Sequence, residues 1–282
     1  MTSPPRQAAV LGSPIGHSLS PVLHLAAYRA LGLEHWSYGA HDVKAPALRT
    51  FVAGLGPQWA GLSLTMPLKE VAFEVADTVS DLAREVGAVN TLVRRPDGGW
   101  SGDNTDVYGV EQALREAGAA QVDSALVLGS GATARSVVAA LAALGCTKVT
   151  FAVRSVARPE TLEQTLRAGL AADVVGLGEL SEVLGDARVV VSTLPAGALN
   201  GTVSRAGRLP AARLGPDHLL LDVVYTGWPT PLARLFQVAG ATAVSGLEML
   251  IHQAAEQVHL MTGRPPPLDP MRDAGLAAMR SR

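Results

Sequence analysis

One lysine stands just beyond a proline, after a sequence pattern typical of a buried strand. Residues 61–69 read Gly-Leu-Ser-Leu-Thr-Met-Pro-Leu-Lys, so a mainly apolar run leads into Lys69. A positioned lysine ammonium can give a proton to a reacting oxygen. Lys69 is therefore a candidate proton donor.

Two further polar clusters lie in the same N-terminal third of the chain. Residues 18–21 (Ser-Leu-Ser-Pro) offer hydroxyls, and residues 104–106 (Asn-Thr-Asp) add a carboxylate. These are groups that a small polyhydroxylated acid would need. Together with a glycine-rich turn at residues 129–132 (Gly-Ser-Gly-Ala), they indicate a nicotinamide-dependent dehydrogenase.

Length, charge and cysteine content limit the class of protein. A chain of 282 residues is long enough for two domains, each with its own core. A formal net charge of −2 gives no basic surface for nucleic acid, so we expect a small-molecule partner. Cys146 is the single cysteine, which favours a reducing compartment.

No segment has the pattern of a secretory leader or of a membrane span. The first residues contain two prolines and no long apolar run after a basic start. No apolar run approaches the ~18 residues of a spanning helix. We therefore expect a cytoplasmic protein without membrane contact, either a monomer or a homodimer.

Apolar runs of strand length alternate with helix-length periodic segments, which predicts an α/β fold with parallel sheets. One helix should begin at Ser20, because a serine N-cap followed by proline at the first helical position is favourable. In the N-terminal third, the pattern predicts strands at residues 8–11, 36–41 and 61–65, a helix at 46–53, and a hairpin of 86–93 with 99–101.

After residue 106 the alternation is typical of a doubly wound, Rossmann-type domain. The glycine turn follows a predicted strand and opens a predicted helix, the setting that places a pyrophosphate on helix N-terminal amides. A turn without a ligand would also favour glycine. Ala134 stands nearest the third glycine of the usual fingerprint. The pattern predicts helices at 107–118 and 133–144 and strands at 124–128, 147–153, 174–175, 188–192 and 218–223.

The end of the second strand in this domain decides between NAD and NADP. NAD sites place an acidic residue about 20 residues downstream of the turn, whereas this chain has Arg154, Ser155 and Arg158 and no acid there. Guanidinium groups bind a 2′-phosphate through charge-assisted hydrogen bonds. We therefore expect NADP; the alternative is that both arginines are ordinary surface charges.

Six motifs follow one another in order along nearly the whole chain. They begin at Gly12 (Gly-Ser-Pro-Ile-x-His-Ser-Leu-Ser-Pro), Thr65 (Thr-Met-Pro-x-Lys), Gly87 (Gly-Ala-Val-Asn-Thr), Asn104 (Asn-Thr-Asp-x-x-Gly), Asp222 (Asp-x-x-Tyr, with Thr-Pro-Leu from Thr230) and Gly246 (Gly-x-x-Met-Leu-x-x-Gln). In order and spacing they closely resemble the shikimate dehydrogenases, of the shikimate/quinate dehydrogenase family.

This resemblance implies NADPH-dependent reduction of 3-dehydroshikimate to shikimate, a step toward chorismate. It implies that Lys69 and Asp106 form the catalytic pair. A lysine ammonium stabilises charge on the ketone oxygen and then donates a proton, and a nearby carboxylate keeps the lysine charged. The implied substrate residues are Ser18, Ser20 and Tyr225 for the carboxylate, with Thr65, Asn90, Asp106 and Gln253 for the ring oxygens.

The resemblance also assigns the cofactor residues and the domains. It implies a substrate and catalytic domain of residues 1–106 and 247–282, and an NADP domain of residues 107–246. The implied cofactor contacts are Gly129, Ser130, Gly131, Ala132 and Thr133 at the pyrophosphate, Arg154, Ser155 and Arg158 at the 2′-phosphate, Val223, Gly246 and Met249 at the nicotinamide end, and Asp81.

Some readings stay open at this point. The chain departs from the family at Ser63, where asparagine is common, and at residues 226–228. Singly, Ser20 could be a helix cap, Asn90 a turn residue and Gln253 a surface residue. The rivals are a paralogue acting on quinate or an aminated shikimate analogue, and a non-catalytic NADP-binding sensor. The seven histidines form no His-x-x-x-His pair, so no metal is expected.

Overall fold

The computed structural model describes residues 4–199 and 213–281. The chain divides into two compact units, the first formed by Met1–Tyr108 with Leu250–Arg282 and the second by Gly109–Met249. Residues 200–212 of the predicted NADP domain lie outside the described residues. The α/β class predicted from the sequence is confirmed in both units.

The first unit contains a six-stranded mixed sheet with the order β2-β1-β3-β5-β6-β4. The neighbours β1, β2 and β3 are parallel, whereas β5 runs antiparallel to both β3 and β6. The strands are β1 (Arg6–Gly12), β2 (Trp36–Asp42), β3 (Trp59–Leu64), β4 (Thr78–Val79), β5 (Thr91–Arg94) and β6 (Trp100–Asp103).

The strand register brings the ends of several strands to one edge of this sheet. Leu11 pairs with Leu64 near the ends of β1 and β3, and Ser63 pairs with Thr91 at the start of β5. Thr91 in turn pairs with Asp103 at the end of β6. The segments that follow β1, β3 and β6, and the one that precedes β5, therefore emerge at the same edge.

The helices of the first unit pack around this sheet. Helix Ser20–Ala30 packs against helix Leu268–Arg280, and a core of buried leucines fills the space beside β1, β3 and β5. Leu68 is fully buried in that core, directly before Lys69. The other helices with residues in this unit are Leu48–Ala53, Asp81–Val86, the first residues of Asp106–Glu116, and Gly246–Thr262 from Leu250 onward.

The second unit is a parallel, doubly wound sheet with the order β12-β11-β10-β7-β8-β9. The strand order reverses at the neighbours β7 and β10, which is where ligands bind in such sheets. The strands are β7 (Ser124–Leu128), β8 (Lys148–Val153), β9 (Ala171–Gly176), β10 (Val189–Ser192), β11 (Leu219–Asp222) and β12 (Thr242–Ser245), and the helices include Ala132–Ala143, Pro159–Arg167, Leu180–Val183 and Pro231–Val238.

Two local predictions are wrong. Ser20 is the first helical residue rather than the cap; Leu19 occupies the cap position and makes no side-chain cap bond. The predicted strand at 86–93 is also wrong at its start, because Val86 ends helix Asp81–Val86 and Gly87, with φ of 67°, closes it in a left-handed conformation. The antiparallel hairpin itself is confirmed between β5 and β6.

No helix within residues 4–199 or 213–281 is both long and apolar enough to cross a membrane.

Candidate active site

Lys69 is held at the sheet edge by a turn whose backbone is bonded on both sides. The Thr65 N–H donates to the Leu11 carbonyl at 2.9 Å, and the Leu68 N–H closes the turn onto the Thr65 carbonyl at 2.8 Å. The Lys69 carbonyl accepts from the Val89 N–H at 2.8 Å. With Leu68 buried in the core, the backbone at Lys69 has little freedom to move.

Lys69 and Asp106 form a close ion pair. Lys69 Nζ lies 2.5 Å from Asp106 Oδ2, with side-chain exposures of 15% and 7%. Asp106 is the first residue of helix Asp106–Glu116, and a helix N-terminus favours a carboxylate. Its backbone N–H donates to Asn104 Oδ1 at 3.1 Å. The pair predicted from the resemblance is therefore present as a geometric contact, shielded from most of the solvent.

Asn90 fixes the second oxygen of the Asp106 carboxylate. Asn90 Nδ2 donates to Asp106 Oδ1 at 2.9 Å and also lies 3.0 Å from Thr105 Oγ1. Asn90 Oδ1 accepts from the Thr105 N–H at 2.8 Å. Asn90 is 1% exposed, so its amide has no solvent alternative to these partners. Both Asp106 oxygens are thus engaged, one by a charge and one by an amide.

A buried set of polar residues behind Asn90 was not predicted as part of the site. Thr91 Oγ1 donates to Asn90 Oδ1 at 2.8 Å and lies 3.0 Å from Gln257 Nε2. Ser63 Oγ donates to Gln257 Oε1 at 2.6 Å, and Tyr38 donates its hydroxyl to Ser63 Oγ at 2.6 Å. The one sequence signal was Ser63 itself, one of the two places at which the chain departs from the family pattern.

Ser18 and Ser20 lie in the loop and helix start that follow β1. The Ser20 N–H donates to Ser18 Oγ at 3.2 Å, which places the two residues together. The same loop is tied to the turn before Lys69, because the Ser13 N–H donates to the Met66 carbonyl at 3.0 Å. Both predicted carboxylate-binding serines therefore belong to the edge that carries Lys69.

Three other predicted site residues stand on other elements of the two units. Gln253 is buried on helix Gly246–Thr262, and its Nε2 donates to the Leu250 carbonyl at 2.9 Å. Asp81 is exposed in the first turn of helix Asp81–Val86, where it pairs with Arg84 at 2.9 Å. Tyr225 lies in the segment after β11 of the second unit.

The glycine turn of the second unit has the geometry of a phosphate cradle. Gly129 has φ of 100°, and a Cβ there would lie 2.7 Å from Thr193 Oγ1. Gly131 is the N-cap residue of helix Ala132–Ala143, and since glycine has no side chain, no capping side chain bonds to the first N–H groups of the helix. A Cβ at Gly131 would meet nothing within 4 Å, so the helix start is open. Its backbone N–H groups fit a pyrophosphate.

The arginine segment is tied to this turn. Ser130 Oγ accepts from the Arg158 N–H at 3.1 Å, and the Ser130 carbonyl accepts from Thr161 Oγ1 at 2.8 Å. Arg154, Ser155 and Arg158 are all exposed just after β8. Two guanidinium groups with no acid between them, beside this glycine turn, fit the extra phosphate of NADP.

The predicted nicotinamide-end residues also lie close to one another. A Cβ at Gly246 would stand 2.0 Å from the Val223 carbonyl oxygen, so only glycine fits this approach. Asp222 shapes the segment by accepting from the Val224 N–H at 3.2 Å and from Thr230 Oγ1 at 2.8 Å. Burial raises the pKa of Asp222, and these hydrogen bonds partly oppose that effect. Met249, also predicted here, is buried.

The doubly wound sheet, the open glycine turn and the buried lysine–aspartate pair define a dinucleotide-dependent oxidoreductase. Family models agree along the chain. A shikimate dehydrogenase substrate binding domain matches residues 10–92, a shikimate/quinate 5-dehydrogenase model matches 111–224, and a shikimate 5′-dehydrogenase C-terminal domain matches 246–274. The chain belongs to the shikimate dehydrogenase family.

Individual relatives are similar over almost their whole length. A shikimate dehydrogenase (NADP(+)) of Synechococcus sp. is 37% identical over 273 residues, covering 94% of this chain and 93% of the relative. The shikimate dehydrogenase structure from Mycobacterium tuberculosis is 43% identical, with a TM-score of 0.85 and coverage of 97% and 100%. The Thermus thermophilus enzyme in complex with NADP(H) and shikimate is 35% identical, with a TM-score of 0.82 and coverage of 97% and 99%.

Proposed function

We propose that this protein is an NADP-dependent oxidoreductase that reduces 3-dehydroshikimate to shikimate, a step toward chorismate and the aromatic amino acids. The observation that carries the proposal is the buried Lys69–Asp106 pair, 2.5 Å apart, whose carboxylate is fixed by Asn90. The names of the similar proteins, and the relative described with NADP(H) and shikimate, support the choice of substrate and cofactor.

The chain supplies suitable groups for each part of such a substrate. Hydroxyl and N–H donors at the helix start after β1 suit the carboxylate, and the amides and hydroxyls around the ion pair suit the ring hydroxyls. We assign the carboxylate to Ser18, Ser20 and Tyr225, and the ring oxygens to Thr65, Asn90, Asp106 and Gln253.

NADP fits the residues of the second unit. We assign three groups of residues to parts of the cofactor: Gly129, Ser130, Gly131, Ala132 and Thr133 to the pyrophosphate, Arg154, Ser155 and Arg158 to the 2′-phosphate, and Val223, Gly246 and Met249 to the nicotinamide end. We assign Asp81 of the first unit a further contact with the cofactor.

The reduction needs one hydride and one proton. NADPH supplies the hydride when it is bound. Addition to the ketone carbon leaves negative charge on the oxygen, which the Lys69 ammonium stabilises before it donates its proton to form the alcohol. Asp106 fixes the direction of the Lys69 ammonium through their 2.5 Å contact, and Asn90 holds Asp106 in place. In the reverse reaction Lys69 accepts the proton.

Steady-state kinetics with two substrates and two cofactors tests the proposal. Shikimate and quinate would each be assayed with NADP and with NAD. We expect the highest kcat/KM for shikimate with NADP, because the end of β8 carries arginines and no acid for a bare ribose. A higher kcat/KM for quinate, or for NAD, would overturn the corresponding part of the proposal.

The cellular setting is part of the proposal as well. We propose a cytoplasmic enzyme, since the reaction uses soluble small molecules and the chain has one cysteine. We propose a monomer or a homodimer, which light scattering coupled to gel filtration distinguishes directly.

A further inference from the structure

Gln257 lies in the middle of a continuous hydrogen-bonded chain that ends on Asp106. The chain starts at the Tyr38 hydroxyl and passes through Ser63 to Gln257. From Gln257 it continues through Thr91 and Asn90 to Asp106 Oδ1. We call these six side chains the relay, and all of them are at most 6% exposed. No water is needed to complete it.

The carboxylate at one end sets the direction of every hydrogen bond in the relay. Asp106 only accepts, so Asn90 must turn its NH₂ toward it and its carbonyl toward Thr91. The single proton of Thr91 is then used on Asn90, so Thr91 must accept from Gln257 Nε2. The amide of Gln257 is thereby oriented as well.

The far end of the relay agrees with this direction. With its NH₂ toward Thr91, Gln257 presents Oε1 to Ser63, which donates at 2.6 Å. Ser63 then accepts from Tyr38. Burial raises the pKa of Tyr38 well above its usual value, so the phenol keeps the proton that it donates. A flipped Gln257 amide would instead place Oε1 against the Asn90 carbonyl, 3.4 Å from the present Nε2.

We propose that Gln257 is a positioning residue, which orients Asn90 through Thr91 and so holds Asp106 in the direction that pairs with Lys69. The inference rests on the proposed function. Aligned donors in a buried chain reinforce one another, and every bond of the relay points its proton toward the carboxylate side. Ser63, one of the two departures from the family pattern, is the residue that donates to Oε1 of Gln257.

Gln257→Leu tests this role by breaking the relay at its centre. We expect kcat for shikimate to fall about tenfold and KM to stay within about twofold of wild type. The reason is that the hydrogen bond from Gln257 to Thr91, which orients Asn90, is lost, and a net hydrogen bond contributes free energy of about this size. The matched control is Gln164→Leu, which removes a buried glutamine of the second unit whose Nε2 donates to the Arg135 carbonyl at 3.0 Å. That control should lose stability and keep kcat.

A cycle with the lysine separates positioning from general loss of structure. In a Lys69→Met background the carboxylate no longer serves a catalytic ammonium, so Gln257→Leu should lower the remaining kcat by less than about twofold. The loss of thermal stability caused by Gln257→Leu should be the same in both backgrounds. An unchanged tenfold loss of kcat in the Lys69→Met background would overturn the inference.

Gln257→Glu gives a second signature. A buried carboxyl is protonated at low pH and then both donates to Thr91 and accepts from Ser63, as glutamine does. As the pH rises and the carboxyl ionises, the donor to Thr91 is lost. The other titratable groups of the relay and its partner are Tyr38, Asp106 and Lys69, which wild type also carries. The ratio of variant to wild-type kcat should therefore fall with pH, and a constant ratio would contradict the proposal.

A readout independent of turnover keeps the inference separate from the proposed function. In ¹⁵N NMR, the Asn90 side-chain amide should shift in Gln257→Leu and stay in place in Gln164→Leu. Should Gln257→Leu not fold, Ser63→Ala removes only the hydroxyl that donates to Gln257 and should shift the same resonance. A wild type inactive on shikimate would defeat the proposed function alone; an unmoved Asn90 signal would defeat the inference alone.

Discussion

Replacing Lys69 by methionine removes the ammonium and keeps most of the side-chain stem. We expect kcat for 3-dehydroshikimate reduction to fall ~10²–10⁴-fold, the usual scale of a general acid. At about 1.36 kcal/mol for each factor of ten, this is ~2.7–5.4 kcal/mol of transition-state stabilisation. KM should change little, because the stabilised charge develops only in the transition state.

The structure also limits how much stability this change costs. Breaking a buried ion pair by removing one partner costs ~3–5 kcal/mol when the remaining charge has no other partner. Asp106 keeps its 2.9 Å bond from Asn90 and its place at a helix N-terminus. The loss in unfolding free energy should therefore lie at or below the lower end of that range, and the variant should fold.

A second lysine–aspartate pair provides the control. Lys148 and Asp173 are 2.7 Å apart, but their side chains are 51% and 58% exposed. Lys148→Met should change the unfolding free energy by less than ~1 kcal/mol and leave kcat unchanged. Initial rates at saturating NADPH and thermal melts of both variants make the comparison. A folded Lys69→Met enzyme with kcat within about threefold of wild type would refute the assignment of Lys69 as the acid.

Three further predictions concern the substrate carboxylate, the cofactor and pH. Replacing both Ser18 and Ser20 by alanine should raise KM for shikimate by the factor that corresponds to a loss of roughly 1–3 kcal/mol of binding free energy, and leave KM for NADP unchanged. An unchanged KM for shikimate would place the carboxylate elsewhere. Replacing Arg154 and Arg158 by alanine should raise KM for NADP and leave KM for NAD unchanged. The wild-type preference for NADP over NAD should shrink as salt is added, since charges are screened over about 10 Å at 0.1 M. Equal losses for both cofactors would contradict this assignment. Burial lowers the pKa of His24 from 6.5 to about 4, so between these pH values the unfolded chain binds a proton that the folded chain does not. The free energy of unfolding should therefore fall, by up to ~3 kcal/mol, as the pH drops from 6.5 to 4. In denaturant titrations, the free energy of unfolding of His24→Phe should depend less on pH over this range.

The second unit was the part of the fold most open to prediction. Short apolar strands alternating with amphipathic helices specify a parallel doubly wound sheet almost by themselves, and the turn at Gly129 falls where a strand meets a helix. The N-terminal unit was harder. The strand predicted from residue 86 overlaps the end of a short helix, Asp81–Val86, which Ser80 caps and Gly87 ends within two turns.

The N-cap predicted at Ser20 from local propensity is wrong for a physical reason. Serine before proline is a good cap in isolation, but here the Ser20 N–H is bonded to Ser18 Oγ and the helix begins one residue earlier than a Ser20 cap requires. The hydrogen bond to Ser18 therefore accompanies a helix start that forgoes a cap preference worth about 1 kcal/mol.

The relay could not have been found by spacing. Gln257 lies 166 residues from Thr91 and 194 from Ser63, and nothing in a helical pattern of buried positions distinguishes a packed glutamine from one that orients a neighbour. The Lys69–Asp106 pair came from the resemblance, since residues 37 apart give no local signal. Motif order supplied what chemistry alone did not.

The bond between Ser130 and the backbone of Arg158 has a consequence for any attempt to redesign the cofactor preference. Because one hydroxyl and one carbonyl of the glycine turn hold residues 158 and 161, the two segments that we propose bind phosphates are not exchangeable modules. A transplanted NAD-type loop would disturb the turn that we propose binds the pyrophosphate. A gain in selectivity for NAD would then be accompanied by a loss of affinity for the whole cofactor. Changes confined to the side chains of Arg154 and Ser155, which leave that backbone in place, are the route by which selectivity can drift without disturbing the turn.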